Sequence, residues 1–130
     1  MRQSLAPAGI ALRLRLADPA AFAQAVFAAR DFDLALMSYC QGADPEIGFR
    51  RMVHSDSVGP VPFSNAAGYR SPEVDRLLDL AATSLPENMR RDAYHAAQRA
   101  LARDLPYLPL VETDFTAAWR DTFADVAPWS

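Results

Sequence analysis

Two histidines, one cysteine and a scatter of acids are the residues of this chain that could do chemistry. His54 and His95 are far apart, and neither lies in a His-x3-His or His-Glu-x-x-His pattern. A metal site would therefore need long-range convergence. Base rates favour solvated surface histidines, with His95 beside Tyr94 on the polar side of a helix. Cys40 falls at the C-terminal end of an expected strand, where ligands bind in open α/β sheets. A thiol nucleophile there needs a base, and no recognisable motif supplies one; the plainer reading is a small packed thiol. The acidic pairs Asp31/Asp33 and Asp44/Glu46 have the spacing of paired carboxylates, but they read more simply as turn and helix-cap residues. Tyr39 and Tyr69 flank a long loop region. Aromatics near a strand end either line a ligand cleft or belong to the core. Phe49, Phe63, Trp119 and Trp129 pose the same choice with less claim to a cleft. The sequence holds no Gly-x-Gly-x-x-Gly, no Gly-x-Ser-x-Gly and no acidic metal-ion loop, so neither a metal nor a cofactor is expected.

Composition narrows the classes further. The 130 residues suit one domain, and 51% hydrophobic with 22% charged residues argues against disorder. The net charge is −3 and the acids are scattered, which speaks against a broad nucleic-acid surface. All 13 basic residues are arginine, so Schiff-base and P-loop lysine chemistry are excluded. A single cysteine excludes an internal disulfide and a cysteine-rich zinc site. No apolar run approaches the ~20 residues that span a bilayer. Residues 1–10 lack the apolar core of a signal peptide; if the native protein is exported, its export signal is missing from this chain.

The elements that must position these residues follow from local patterns. Residues 10–16 alternate, with Ile10, Leu12, Leu14 and Leu16 on one side, which predicts a half-buried strand. Asp18-Pro19 predicts a helix start, and the helix runs to about Arg30 with Phe22, Val26 and Phe27 on its apolar side. Leu34-Ala35-Leu36-Met37 reads as a strand buried on both faces, completing a tight, right-handed βαβ unit within residues 10–39. Residues 40–70 are mostly loop, with a short helix candidate over Glu46–Val53; a loop this long is usually functional or covers something. Ser71-Pro72-Glu73 opens a second helix whose stripe is Val74, Leu77, Leu78 and Ala81. A third runs from about Pro86 to Arg103 with Met89, Ala93, Ala97 and Leu101 inward, and the short link near Ser84 and Leu85 predicts antiparallel packing. Leu105–Glu112 holds Pro106 and Pro109, so it reads as an edge or irregular strand. Phe115–Arg120 is a further strand candidate, and residues 121–130 read as a tail.

Several segments taken together resemble one family. Asp31-Phe32-Asp33-Leu34-Ala35-Leu36, Tyr39 and Gly42-Ala43-Asp44-Pro45 resemble a passage of the family 5 extracytoplasmic solute-binding proteins, the dipeptide, oligopeptide and nickel receptors of ABC importers. Gly68-Tyr69-Arg70-Ser71-Pro72-Glu73-Val74-Asp75 resembles that family's Gly-Tyr-x-x-Pro-Glu-Val-Asp motif, and Gly59–Ala67 the segment leading into it. Tyr94, Gln98 and Asp104-Leu105-Pro106-Tyr107-Leu108-Pro109-Leu110 resemble its later blocks. Order and spacing agree over residues 8–125.

The resemblance implies an α/β fold, the C-terminal lobe of a type II periplasmic-binding-protein-like architecture. Residues 1–130 would form a single domain, a fragment whose N-terminal lobe and export signal are missing. It implies peptide-like solute binding without catalysis in a periplasmic or extracytoplasmic setting. The implied partners are permease subunits and the missing lobe, with no nucleic acid. Tyr39, Cys40, Gln41, Asn65 and Tyr69 are the implied ligand-facing residues. The family's peptide receptors anchor a peptide amino terminus with an aspartate in the turn after the strand ending in Trp or Tyr; here Gln41 or Gly42 falls at that place. This departure keeps an opine, a sugar-like compound or a metal chelate open beside a peptide, although no local histidine pattern supports nickel. Two other readings stay open: a remnant that folds or self-associates without binding solute, and a small hydrolase using Cys40.

Overall fold

The computed structural model describes residues 2–112. The strand candidate at Phe115–Arg120, the tail and both tryptophans lie outside the described residues. The elements are helical: α1 (Arg2–Leu5) with a 3-10 turn at Ala6–Ala8, α2 (Pro19–Ala23) continuing as a π-helical turn over Gln24–Ala28, α3 (Phe49–Val53) with a 3-10 turn at Ser55–Ser57, α4 (Pro72–Thr83) and α5 (Glu87–Asp104).

The α4–α5 hairpin is the centre of the fold. Ser71 caps α4, its side chain accepting from the Val74 N–H, and Pro72 supplies a preset φ in the first turn. Val74, Leu77, Leu78 and Ala81 are all buried, as the periodicity predicts. On α5 the buried stripe is Ala93, Ala97 and Ala100; Met89, expected inward, is exposed. Small side chains here let the two helix backbones approach closely. Arg103, at the end of α5, meets Glu73, at the start of α4, at 3.0 Å, so the helices run antiparallel. Met52 and Val53 of α3 pack onto the same cluster, joined by half-buried Tyr39, Tyr69, Tyr94 and Tyr107.

A second, smaller cluster holds Val26, Phe27 and Ala66, with Phe22, Phe32, Ala35 and Met37 against it. Asp18 caps α2 through the N–H groups of Ala20 and Ala21, again as its Asp-Pro start predicts. Aromatic rings join the two clusters. The Phe63 ring lies 6.0 Å from that of Phe27 and 6.1 Å from that of Tyr39, which in turn lies 5.9 Å from Tyr107.

The expected α/β fold is not what forms. No strand and no sheet occur among the described residues. The βαβ unit over residues 10–39 reduces to its helix, and Leu105–Glu112 forms no strand either. No backbone group of residues 11–17 or 32–43 bonds to another backbone group among the described residues. An isolated extended segment is not a strand, because the ladder that defines one comes from a neighbour about 4.8 Å away. Side chains report the same thing. Ala35, Met37 and Tyr39 point inward with period two, yet Leu34 and Leu36 on the other face stand in solvent. Leu16, expected on a buried face, is 95% exposed. The type II periplasmic-binding-protein-like lobe, which requires a sheet, is therefore overturned for these residues.

Candidate functional site

The region after Leu36 carries the residues expected to face a ligand. Tyr39 is half-buried between Phe63 and Tyr107, and its hydroxyl donates to the Ser64 carbonyl at 2.9 Å. Burial, reinforced by the neighbouring Tyr107, raises its pKa above the ordinary phenol value, so it stays a neutral donor. Cys40 is exposed, against its plainer reading as a packed thiol. Gln41 is exposed, and its Nε2 donates to the Met52 sulfur. Its backbone presses on Gly48: a Cβ added there would lie 1.8 Å from the Gln41 carbonyl oxygen. Only glycine fits where the turn after Tyr39 folds back on the entry to α3.

Asn65 sits elsewhere in this arrangement. It is fully buried, and its Nδ2 donates to the carbonyls of His54 (3.1 Å) and Tyr69 (2.8 Å) while its Oδ1 accepts from the Tyr69 N–H (3.1 Å). These bonds make Asn65 a staple holding the loop before α4 against the turn after α3. Tyr69 sends its hydroxyl to Asp104 Oδ2 at 2.6 Å, at the far end of α5. Burial followed by the Asp104 bond raises the pKa of this phenol. The structure thus brings Tyr39, Cys40 and Gln41 together, and sends the polar groups of Asn65 and Tyr69 to internal partners.

Two concave surfaces lie near these residues. One, of about 260 Å³, is walled by Arg51, Ser57, Val61, Pro62 and Phe63, next to Tyr39 through the Phe63 ring. The other, of about 350 Å³, runs along α5 and is lined by Phe49, Arg90, Arg91, Tyr94 and His95. In the second, two of the polar side chains are tied to internal partners. Arg90 pairs with Asp44 at 3.0 Å and lies over the Tyr94 ring, and Tyr94 donates to Glu46 at 2.7 Å. Burial and the Glu46 bond push the Tyr94 pKa up to about 12. Asp44 also accepts from the Glu46 N–H, the cap-like role its Asp-Pro context predicts.

His54 departs from its expected surface position: it is 4% exposed, whereas His95 is exposed. Its Nδ1 accepts from the Asp56 N–H, which keeps the proton on Nε2, facing Asp79 at 3.5 Å and Asp75 at 3.9 Å. Asp79 also takes a 2.5 Å bond from Arg50, and that bond chiefly holds its carboxyl below the ordinary range. Asp75 accepts from the Ser55 N–H. The cluster ties α3 to α4. Neither ring nitrogen is hydrogen-bonded to a serine, threonine or cysteine among the described residues. Nor does any group of three or more His, Cys, Asp or Glu side chains there converge as a metal site.

Phe63 had less claim to a cleft than Tyr39 in the sequence, and Arg51 and Gly48 were not singled out as site-forming residues. The loop 59–64, with two prolines before an aromatic, is the local signal for the first.

Comparison with known proteins bears on this geometry. The chain is similar to the peptide transport periplasmic protein SapA of Haemophilus influenzae, with 30% identity over 112 residues, covering 85% of this chain and 20% of that protein. It is also similar to protein XP55 of Streptomyces lividans, with 34% identity over 82 residues, covering 63% of this chain and 15% of that protein. The matched stretches thus span about a fifth or less of these relatives' length. No protein-family model matches the chain, and no solved structure matches it. The similarity is a distant, partial homology to a periplasmic peptide-transport protein. No helix among the described residues is long and apolar enough to cross a membrane.

Proposed function

We propose that this chain is the C-terminal portion of a family 5 extracytoplasmic solute-binding protein, and that it contributes contacts to a peptide-like solute for an ABC importer. The observation that carries this reading is the 30% identity with SapA, which runs through 85% of the chain. On this reading the solute is met outside the cytoplasm, the partners are the permease subunits and the remainder of the receptor, and no bond is made or broken. The exposed surface beside Tyr39, Cys40 and Gln41 suits such work. It offers an aromatic wall, backbone groups without backbone partners among the described residues and water-accessible polar atoms, the means by which extended peptides are held with little sequence selectivity.

Native mass spectrometry of the chain with an equimolar mixture of di- to pentapeptides tests this. A retained peptide mass, unaffected by excess sugar and unchanged in Cys40→Ser, is the expected result. A chain that retains no peptide at millimolar concentration overturns it. A second reading, self-association without solute, draws on the exposure of Leu14, Leu16, Leu34 and Leu36. Sedimentation separates the two, because a peptide-binding monomer keeps its mass across a concentration series.

A further inference from the structure

The buried ring of His54 sits where α3 ends, the 3-10 turn at Ser55–Ser57 begins and α4 packs alongside. It is held on one side only. Nδ1 accepts from the Asp56 N–H at 3.2 Å, whereas Nε2 makes no hydrogen bond among the described residues. The Asp56 N–H has no second acceptor there, so this one bond fastens the turn to the ring. The turn in its turn forms part of a wall. Asp56 and Ser57 line the 260 Å³ cleft together with Phe63 and Ser64. The Ser57 carbonyl accepts from the Asn65 N–H at 3.2 Å, and the His54 carbonyl accepts from the Asn65 side chain at 3.1 Å. Ring, turn and the loop ending at Asn65 are therefore one connected unit. The loop has little slack, because Phe63 already stands at a φ of +61°, in the left-handed region.

Histidine is the side chain that changes charge between about pH 5 and about pH 8, and the two charge states ask different things of this turn. The neutral ring offers the Nδ1 lone pair that the Asp56 N–H uses. An imidazolium carries a hydrogen on both nitrogens and accepts nothing. Two N–H groups would then face each other across 3.2 Å, and the turn has to give way. Groups that can take the new charge stand ready. Asp56 Oδ2 lies 3.8 Å from Nδ1 on a side chain that is 92% exposed, so a swing of about 1 Å brings it to a charge-assisted bond. Asp79 and Asp75 of α4 face Nε2 at 3.5 Å and 3.9 Å. The cations packed nearby are Arg50 of α3, already paired with Asp79, and Arg70, which reaches the Ser55 carbonyl at 3.5 Å. We propose that His54 is a proton-operated latch. The neutral ring holds the Ser55–Ser57 turn by the Asp56 N–H; the protonated ring releases that N–H, draws the Asp56 carboxylate inward and so moves one wall of the cleft. The latch belongs to the fold itself and stands whatever the cleft receives.

The test is a heteronuclear NMR titration of the whole chain from about pH 8 to about pH 5, reading the imidazole nitrogens and the backbone amides. At the alkaline end the His54 ring should show a bare Nδ1 and a protonated Nε2. On acidification the ring and the amides of Asp56 and Ser57 should shift together with one midpoint, while the exposed His95 on α5 leaves those amides unmoved. His54→Gln keeps an acceptor that does not titrate and should make the amides of the turn insensitive to pH across the range. Asp56→Asn, at an exposed side chain, keeps the N–H but removes the carboxylate, and should lower the midpoint by about half a pH unit. The latch is overturned if ring and turn shift with separate midpoints, if the ring stays neutral throughout, or if the turn still titrates in His54→Gln. It is overturned too if the α4 and α5 signals collapse in the same step, because the proton then unfolds the protein instead of releasing a turn. Should His54→Gln fail to fold, Asp56→Asn decides: an unchanged midpoint means that this carboxylate does not answer the charge on the ring, and the proposal falls.

Discussion

The α4–α5 hairpin and the extended segments at 10–17 and 32–43 all carry leucines, but only the hairpin has leucines in the core. Leu77 and Leu78 lie in the core, whereas Leu14, Leu16, Leu34 and Leu36 stand in solvent. The difference lies in where the backbone finds its partners. A helix satisfies its own N–H and C=O groups and needs only a cover for one stripe. An extended segment needs a neighbour for its backbone and another for its outer face, and residues 11–17 and 32–43 have neither among the described residues. Stability should therefore be unevenly distributed, with the hairpin near the global value and the extended segments near zero.

Hydrogen exchange gives the largest contrast. Amides in the middle of α4 and α5 should exchange several orders of magnitude more slowly than those of 11–17 and 32–38, and comparable protection in the two sets would break the comparison. Leu78→Ala comes next. The side chain is fully buried, and its truncation should cost about 3 kcal/mol in chemical denaturation. Leu16→Ala is the matched control and should stay within about 0.5 kcal/mol; a larger loss would mean that this leucine is covered in solution. Asn65→Ala should cost about 2 kcal/mol, because it strands the Tyr69 N–H and two carbonyls inside the protein. Asp79→Asn should have the smallest and most conditional effect. The folded-state pKa of Asp79 is depressed, so its contribution is present above the unfolded carboxylate value and is lost as pH falls through the folded one. The variant should be less stable than the parent at pH 7, and the gap should close in acid below about pH 4. A gap that persists there would point to packing rather than charge.

What the sequence made legible follows the same division. Ser71-Pro72 and Asp18-Pro19 mark helix starts because a cap and its proline act within one turn, and the α4 stripe follows from spacing alone. The sheet was not legible as absent, because alternation at 10–16 and the apolar run at 34–37 state what a strand would need and say nothing of whether a partner comes to it. Within the site, Tyr39 was legible by its place after an apolar run. The burial of His54 was not, because it depends on Asp75 and Asp79 arriving from α4. Gly48 was equally silent, since its requirement comes from the backbone of Gln41 and not from any local pattern.

The exposure of Cys40 has a practical consequence. It is the one thiol of the chain, and it follows Tyr39 directly in the extended segment proposed to meet a peptide. A maleimide dye would attach at that single point, and its emission would respond to whatever settles against the neighbouring aromatic wall. The protein thus already carries the attachment point for a fluorescent reporter of its own ligand, with no engineered cysteine to add.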